Sequence, residues 1–445
     1  MSRFAVNNLP IEMFALWLLE FAICYHLAYL FLSPGAVPGG FQSSGGVHAF
    51  LLALAVGLTA FVIGLYRPAV FARTQGMLVN TALGGLFAFP IALIAGWLLD
   101  LHSADLVGTN LLWPIKTVSL WVATLFMTRL TFLIAIRSNL FVRRLAMLGR
   151  PGEMVATVSA VRAGQRGFLE IVSGPAEVAN PALLRKAGVL DVVLSSSASG
   201  RLTIEDRAEF AAKGINLETE AAFWEHHLKR VDVATISADW AASLDEHRQG
   251  RLQKAVNRGG DILISLALLV FTLPLMGMVA LLVRIDSPGS VLYRQERVGL
   301  GGCCFTLLKF RSMRNNAEMN GPAWASMADP RVTRVGSFIR RTRMDELPQL
   351  FNILRGEMSF IGPRPERPHF VKQLATVIPF YGERARVKPG LTGWAQVNFP
   401  YGASVEDARI KLSYDLYYVK YRSGLLDMAI IFSTIRVILF QEGSR

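Results

Sequence analysis

Four long, charge-poor apolar segments, at 11–32, 48–66, 77–99 and 111–136, dominate the first third of the chain. Each approaches the roughly 20 residues a helix needs to cross a bilayer. With 52% of its 445 residues hydrophobic, the chain is too apolar for an ordinary cytosolic protein, and an N-terminal bundle of four membrane spans is the first expectation. The second and third segments carry no charge, whereas Glu20, Lys116 and Arg129 lie inside the others. An ionisable group in a span can mark a functional site, or it can be paired between helices or snorkel to the interface. Pairing and snorkelling are the expectation here. The first segment carries Glu12 and Glu20 and no basic start with a small-residue cleavage site, so no cleavable signal peptide is expected.

Loop charge sets the orientation. Arg67 and Arg73 join spans two and three, and Arg137, Arg143, Arg144 and Arg150 follow span four, while the loops 33–47 and 100–110 contain no Lys or Arg. The excess of positive charge predicts that the N-terminus and everything after Arg137 face the cytoplasm. From about 145 to 237 short apolar runs alternate with helical stretches, and 145–148, 168–172, 191–194 and 215–217 read as strands of a small Rossmann-like α/β domain. Its first strand enters Gly149-Arg150-Pro151-Gly152, which lacks the Gly-x-Gly-x-x-Gly spacing that brings a pyrophosphate to a helix N-terminus, so no dinucleotide is expected. A linker is placed at 241–250, giving regions 1–140, 141–240 and 251–445.

The net charge of +13 is unevenly distributed: residues 251–445 hold 27 Lys and Arg against 15 Asp and Glu, residues 1–250 hold 19 against 18. A basic C-terminal part suits phosphates, nucleotides and acidic lipid headgroups, and no nucleic-acid recognition motif accompanies it. The cysteines, Cys24, Cys303 and Cys304, fit neither a disulfide framework nor a metal knuckle. A fifth apolar segment at 261–284 follows Arg251, Lys254 and Arg258 and precedes Arg294 and Arg297, so the charge rule places both of its ends inside. Pro274 near its middle removes a helical hydrogen bond. A re-entrant helix broken at Pro274 meets both observations; a kinked fifth span is the alternative.

The run Thr342-Arg343-Met344-Asp345-Glu346-Leu347-Pro348 reads as a helix start with its acids at the positive end. Thr342 followed three residues later by Asp345 also fits a capping box. Around these acids, however, stand Lys309, Arg311, Arg331, Arg334, Arg340, Arg341, Arg343 and Arg364. Among such cations an acidic pair can hold Mg²⁺ through oxygen or supply a carboxylate that attacks phosphorus. Gly362-Pro363-Arg364-Pro365 sets one arginine between two prolines, which limits backbone freedom and preorganises it for phosphate.

The ordered motifs Tyr293-Arg-Gln-Glu-Arg-Val-Gly299, Lys309-Phe-Arg-Ser-Met313, Asp345-Glu-Leu-Pro-Gln349, Met358-Ser-Phe-Ile-Gly-Pro-Arg-Pro365 and Lys388-Pro-Gly-Leu-Thr-Gly-Trp-Ala-Gln396 resemble those of the bacterial sugar transferase family, the monotopic phosphoglycosyl transferases. The whole-chain order is similar to its large members, the polyprenyl-phosphate hexose-1-phosphate transferases. The resemblance implies an α/β monotopic catalytic domain attached to the re-entrant helix, with Asp345 as a nucleophile that attacks the β-phosphorus of a UDP-sugar, expels UMP and passes the sugar phosphate to undecaprenyl phosphate. It implies Glu346 as the partner that with Asp345 holds Mg²⁺, and Lys309, Arg311, Arg340 and Arg364 as phosphate-facing cations. Arg386, Gln396 and Asp415 match further family positions, with a role in forming the pocket. UDP-glucose is the donor taken from the resemblance, exopolysaccharide or another glycoconjugate the end product, and the bacterial inner membrane the location, with the catalytic domain facing the cytoplasm. Membrane lipids and a second copy of the chain are further candidate partners. Small members carry Ser-Pro at the helix break, whereas this chain has Leu273-Pro274 with Thr272 before it. The rival readings are a non-catalytic membrane scaffold that gathers anionic lipids or partner proteins, and a transporter.

Overall fold

The structure, a computed structural model, describes residues 11–32, 43–66, 74–100, 112–138, 143–150, 152–164, 169–174, 180–246, 250–314, 331–399, 402 and 404–440. The chain divides into two compact units, Met1–Leu228 and Lys229–Arg445. In the first unit the expected spans are helices α1 (Ile11–Leu32), α2 (Ser43–Ile63), α3 (Thr74–Asp100) and α4 (Leu112–Arg137). Windows within α1, α3 and α4 are long and apolar enough to cross a membrane; the described apolar core of α2, Gly46–Phe61, is shorter. The helices pack in a ring in which α1 meets α2 and α4, and α3 meets the same two. The loop bearing Arg67 and Arg73 lies outside the described residues.

Inside the ring the charges expected to pair do so. Glu20 on α1 and Arg129 on α4 are both fully buried, with Arg129 Nη2 3.2 Å from Glu20 Oε2. Tyr66, just beyond α2, donates its hydroxyl to the same oxygen at 2.6 Å, and Thr128 donates to Glu20 Oε1 at 2.8 Å. Arg129 also donates to the Leu65 carbonyl at 3.1 Å and lies over the Tyr66 ring, 5.1 Å from its centroid. In an apolar surround a charge persists only when its counter-charge and hydrogen bonds replace the lost water. Lys116, one turn into α4, is exposed, as a snorkelling side chain requires.

The strands expected in the α/β region are β1 (Arg143–Leu148), β2 (Leu169–Gly174), β3 (Val189–Leu194) and β4 (Asn216–Thr219), all parallel, in the order β2-β1-β3-β4. Phe168 lies outside the described residues. Helices α5 (Val155–Gly164), α6 (Pro181–Lys186) and α7 (Ile204–Ala212) lie between them, and α8 (Glu220–His227) follows β4. Side-chain alternation sends Leu145 and Met147 to a cluster with Val161, Phe223 and Trp224, and Ala146 and Leu148 to a second with Val192, Leu194 and Phe210. A parallel sheet is thus covered on both faces, which explains its near-continuous apolar strands. At the turn after β1, Glu153 Oε2 accepts from the Arg150 amide and the Ser197 hydroxyl.

The second unit begins earlier than the sequence suggested. Val231, Val233 and Leu244, the last on α9 (Ala238–Glu246), join a core with Phe370, Leu374, Trp394, Leu412 and Leu416, so 229–246 packs into this unit rather than ending the α/β domain and serving as a linker. Next comes α10 (Arg251–Asp286), 36 residues of continuous helix with Pro274 inside, which at 1.5 Å per residue is about 54 Å long. Thr272 donates to the Leu268 carbonyl, not to Val270, the carbonyl that Pro274 deprives of its donor. One face of α10 supplies Leu269, Met276, Val279 and Val283 to a core with Leu307, Phe310, Ile339, Leu350, Ile353 and Met358. Away from that face α10 exposes apolar side chains, including Leu263, Val270, Phe271, Leu273, Leu281 and Ile285.

Both ends of that helix are fastened to the same unit. Near its start Arg258 donates to the carbonyls of Ile353 and Leu354, and Asp261 accepts from the Ser359 hydroxyl and the Phe360 amide, both at 3.0 Å. At its end Arg311 donates to the carbonyls of Ser287, Pro288 and Val283. The rest comprises the antiparallel hairpin β5 (Leu292–Val298) and β6 (Cys304–Phe310), helices α11 (Arg334–Arg341) and α12 (Gln349–Arg355), the parallel pair β7 (Ser359–Ile361) and β8 (Gly390–Thr392), then α13 (Pro368–Val377), α14 (Trp394–Asn398), α15 (Val405–Tyr421) and α16 (Gly424–Phe440).

The buried pair in the helical ring makes a stability prediction. Replacing Glu20 by Leu leaves Arg129 charged and without its carboxylate, at a cost of about 3 kcal/mol; the double replacement Glu20→Leu with Arg129→Leu costs less than that single change. Thermal unfolding in detergent measures both, and a double variant less stable than Glu20→Leu would contradict this account.

Candidate active site

Asp345 and Glu346 sit in a single 3₁₀ turn, Met344–Glu346, between α11 and α12, and both are buried, each 8% exposed. The capping-box reading does not hold: the Thr342 hydroxyl donates backward to the carbonyls of Phe338 and Ile339, closing α11, while Arg343 precedes the turn in a left-handed conformation with φ 59° and ψ 13°. A non-glycine residue there costs on the order of 1 kcal/mol. It reverses the chain so that both acids point into the unit. Helix α12 follows only from Gln349, with Pro348 at its N-cap, so the expected helix start is split into a 3₁₀ turn and a helix.

Three cations converge on one oxygen of Glu346. Arg364 Nη2 lies 2.7 Å, Lys309 Nζ 3.2 Å and Arg343 Nη1 3.8 Å from Oε1. Burial alone would raise the Glu346 carboxyl, but Arg364, Lys309 and Arg343 outweigh it and hold the group well below the usual carboxylate range. Asp345 is the opposite case. Burial and then the Glu346 charge push its carboxyl up, against Lys309, Arg364 and Arg343. Among the described residues no hydrogen bond or ion pair engages the Asp345 carboxylate. Burial lowers Lys309, with Glu346 acting to keep it charged. One acid therefore gathers cations while its neighbour is left without a partner.

Several sequence motifs are brought together to build this. Lys309 lies on β6, opposite Tyr293 of the Tyr293–Gly299 run. Asn352, fully buried on α12, accepts from the Leu308 amide at 3.0 Å and donates to the Thr306 carbonyl at 2.7 Å, tying the helix after the acids to the strand that bears the lysine. The sequence reading gave Asn352 no role; its only sequence signal was a polar residue inside an apolar helical repeat. Arg364 stands in the loop after β7, which pairs with β8 through Ser359↔Gly390 and Ile361↔Thr392. Here glycine is required by contact: a Cβ on Gly362 would lie 2.3 Å from the Lys388 carbonyl oxygen, and one on Gly393 2.1 Å from the Gly362 carbonyl oxygen. The Met358–Pro365 and Lys388–Gln396 motifs are two sides of one backbone contact.

The remaining predicted residues lie at varied places. Arg340, in the last turn of α11, is half-buried. Arg311, expected to face phosphate, is turned to the carbonyls that end α10. Arg386 pairs with Glu383 and, at 2.8 Å, with Asp245. Gln396 donates to the Leu391 carbonyl, and its own amide oxygen is buried without a hydrogen bond. Asp415, 2% exposed, accepts from Arg384 at 2.7 Å; burial pushes its carboxyl up to about 6 against the pull of Arg384. Arg384, missed in the sequence, also lines a pocket with Glu366, Tyr381, Ser404 and Lys411. Among the described residues Tyr381 is its one nearby partner; the others, the Arg364 carbonyl and Asp415, lie 20 and 31 residues away, beyond what local spacing marks.

Among the described residues, the arrangement sets a buried carboxylate that has no hydrogen-bond or ion-pair partner beside three cations. The family model described as "Bacterial sugar transferase" matches residues 252–441. The chain is 44% identical over 225 residues to an Aeromonas hydrophila protein named UDP-N-acetylgalactosamine-undecaprenyl-phosphate N-acetylgalactosaminephosphotransferase, covering 49% of this chain and 53% of that one. It is 39% identical over 186 residues to the Escherichia coli (strain K12) UDP-glucose:undecaprenyl-phosphate glucose-1-phosphate transferase, covering 41% and 40%. It is 41% identical over 189 residues to the Exopolysaccharide production protein PSS of Rhizobium leguminosarum bv. phaseoli, covering 40% of this chain and 93% of that protein. The match thus spans about half of the Aeromonas protein and nearly all of the Rhizobium one. With its five motifs assembled around one acidic turn, the chain belongs to the bacterial sugar transferase family.

Proposed function

We propose that this chain transfers a hexose-1-phosphate from a UDP-sugar to undecaprenyl phosphate, releasing UMP and initiating exopolysaccharide or another glycoconjugate. The observation that carries the reading is an Asp345 carboxylate with no partner among the described residues, beside a Glu346 held by Arg364, Lys309 and Arg343. Asp345 attacks the β-phosphorus of the donor; the bond from that phosphorus to the bridging oxygen breaks, and UMP departs with the bridging oxygen. The hexose phosphate is then held on Asp345 as an acyl phosphate. An oxygen of the lipid phosphate attacks the same phosphorus, forming the lipid diphosphate sugar and freeing the carboxylate. Lys309 and Arg364, both partly exposed beside the buried acids, oppose the charge that builds on the phosphoryl oxygens.

Mg²⁺ fits the donor set. Two adjacent carboxylates offer oxygen, and Mg²⁺ is commonly held by one or two carboxylates with substrate phosphates completing its shell. Because the three cations crowd Glu346 Oε1, Asp345 and the other Glu346 oxygen would hold it. When bound it would neutralise charge on the donor diphosphate.

The fastening of both ends of α10 to one domain supports a re-entrant placement, since a helix whose two ends bind the same domain cannot deliver them to opposite sides of a bilayer. Its exposed apolar face would rest in the cytoplasmic leaflet of the bacterial inner membrane, putting Asp345 at the level of lipid phosphates. The central domain, with its four parallel strands, is read as a Rossmann-like fold without a dinucleotide. UDP-glucose is the first donor to test and UDP-N-acetylgalactosamine the second, because relatives named for each match this chain. The scaffold reading would leave polysaccharide production intact in Asp345→Asn.

Without lipid acceptor, the purified protein should release UMP from its donor in a burst stoichiometric with enzyme, and Asp345→Asn should show none; a burst that needs both substrates together would contradict the covalent route. For orientation, a C-terminal tag should survive protease in sealed spheroplasts and be cut after lysis; cleavage in sealed spheroplasts would place the domain outside.

A further inference from the structure

We propose that Arg384, anchored by Asp415, is a positioning residue for this reaction: it fixes the backbone at Arg364 so that the Arg364 guanidinium meets Glu346 beside Asp345. The inference rests on the transferase reading above.

The loop that carries Arg364 has no regular structure to hold it. Pro363 and Pro365 lack amide protons, so the loop is secured mainly through its carbonyls. Each finds a separate donor. The Pro363 carbonyl accepts from the Gly390 amide at 2.9 Å, the Pro365 carbonyl from Arg297 at 3.0 Å, and the Arg364 carbonyl from Arg384 Nη2 at 3.0 Å. The contact at Arg364 itself depends on Arg384 alone among these donors. Arg384 is in turn fixed on three sides: Nη2 donates to Asp415 Oδ2 at 2.7 Å, Nη1 donates to the Tyr381 hydroxyl at 2.9 Å, and the guanidinium lies over the Tyr381 ring, 5.2 Å from its centroid. Asp415 stands midway along α15, with Leu412, Leu416 and Tyr417 in the core. A rigid helix thereby sets a buried carboxylate, the carboxylate sets Arg384, and Arg384 sets the main chain of the residue closest to Glu346. Arg384 touches neither acid of the turn, so its effect would pass through Arg364.

That dependence separates a positioning role from general support of the fold. The test is a double-mutant cycle on the rate of UMP release without lipid acceptor, using the full chain with UDP-glucose and UDP-N-acetylgalactosamine as donors. Arg384→Gln alone should slow release about tenfold, as should Arg364→Ala. In the Arg364→Ala background, Arg384→Gln should cost no more than about a further twofold. Losses that multiply, or an Arg384→Gln variant as fast as wild type, would overturn the inference. Should Arg384→Gln lose its thermal transition in detergent, Asp415→Asn takes its place in the cycle with the same expected non-additivity, and additive losses there overturn it equally. Wild type with no burst on either donor would reject the transferase reading itself; a burst with an additive cycle rejects only the role of Arg384.

Discussion

The contact between Arg364 and Glu346, 2.7 Å across a buried turn, is the constraint to which most of the second unit answers. Removing the Glu346 charge from water carries a penalty of several kcal/mol, recovered only where geometry and further partners are in place. Lys309 and Arg343 supply those partners, and each arrives from a different part of the chain: a hairpin strand, a strained turn residue and a proline-bounded loop. The scaffold around them consists largely of devices that hold these three approaches in register. Asn352 joins helix to strand, the close glycines of the β7–β8 pair lock the loop, and Arg384 holds its carbonyl. With three cations facing two carboxylates, the site keeps an excess positive charge that an anionic diphosphate would complete.

The long helix shows a second consequence of fastening. An apolar segment of 36 residues has the length of a membrane span and more, and length alone would assign it as one. What separates it from α1, α3 and α4 is a continuous stripe from Asp261 to Val283 that packs on a polar, strand-containing domain, with charged anchors at each end. Its apolar character then serves two different surroundings, protein core on one face and uncovered surface on the other. In the ring, α1 and α3 each pack against α2 and α4.

Much of this was legible in the sequence because it is written in local periodicity. The four apolar segments and the four strands stand where hydrophobic spacing placed them. What was not legible has a common physical origin in long-range contact. The α/β boundary was set too late because Val231, Val233 and Leu244 gain their burial from helices more than a hundred residues on. Arg311 belongs to a cation-rich run by sequence, yet its fork is taken by the carbonyls that end α10, a geometry fixed by how the hairpin returns to that helix. Thr342 and Asp345 match a capping box in spacing, but the positive φ of Arg343 between them assigns the hydroxyl to the preceding helix. Spacing rules presume one continuous element, and here a reversal intervenes.

The same residue types perform two different tasks in the two units, and saturation of the carboxylates tells them apart. Glu20 has both oxygens occupied, one by Tyr66 and Arg129 and the other by Thr128, within an apolar ring. Every change of charge there leaves a buried group uncompensated, so the pair resists chemistry and serves the bundle. At the second site Glu346 has three cations on one oxygen, while Asp345, one residue before it, has burial and a like-charged neighbour and, among the described residues, no donor of its own. A buried carboxylate without a partner is costly to maintain in a fold that could have paired it, and three cations stand within reach of the adjacent acid. With the cations gathered on Glu346, the two adjacent acids therefore differ in kind, one compensated and one held at a cost.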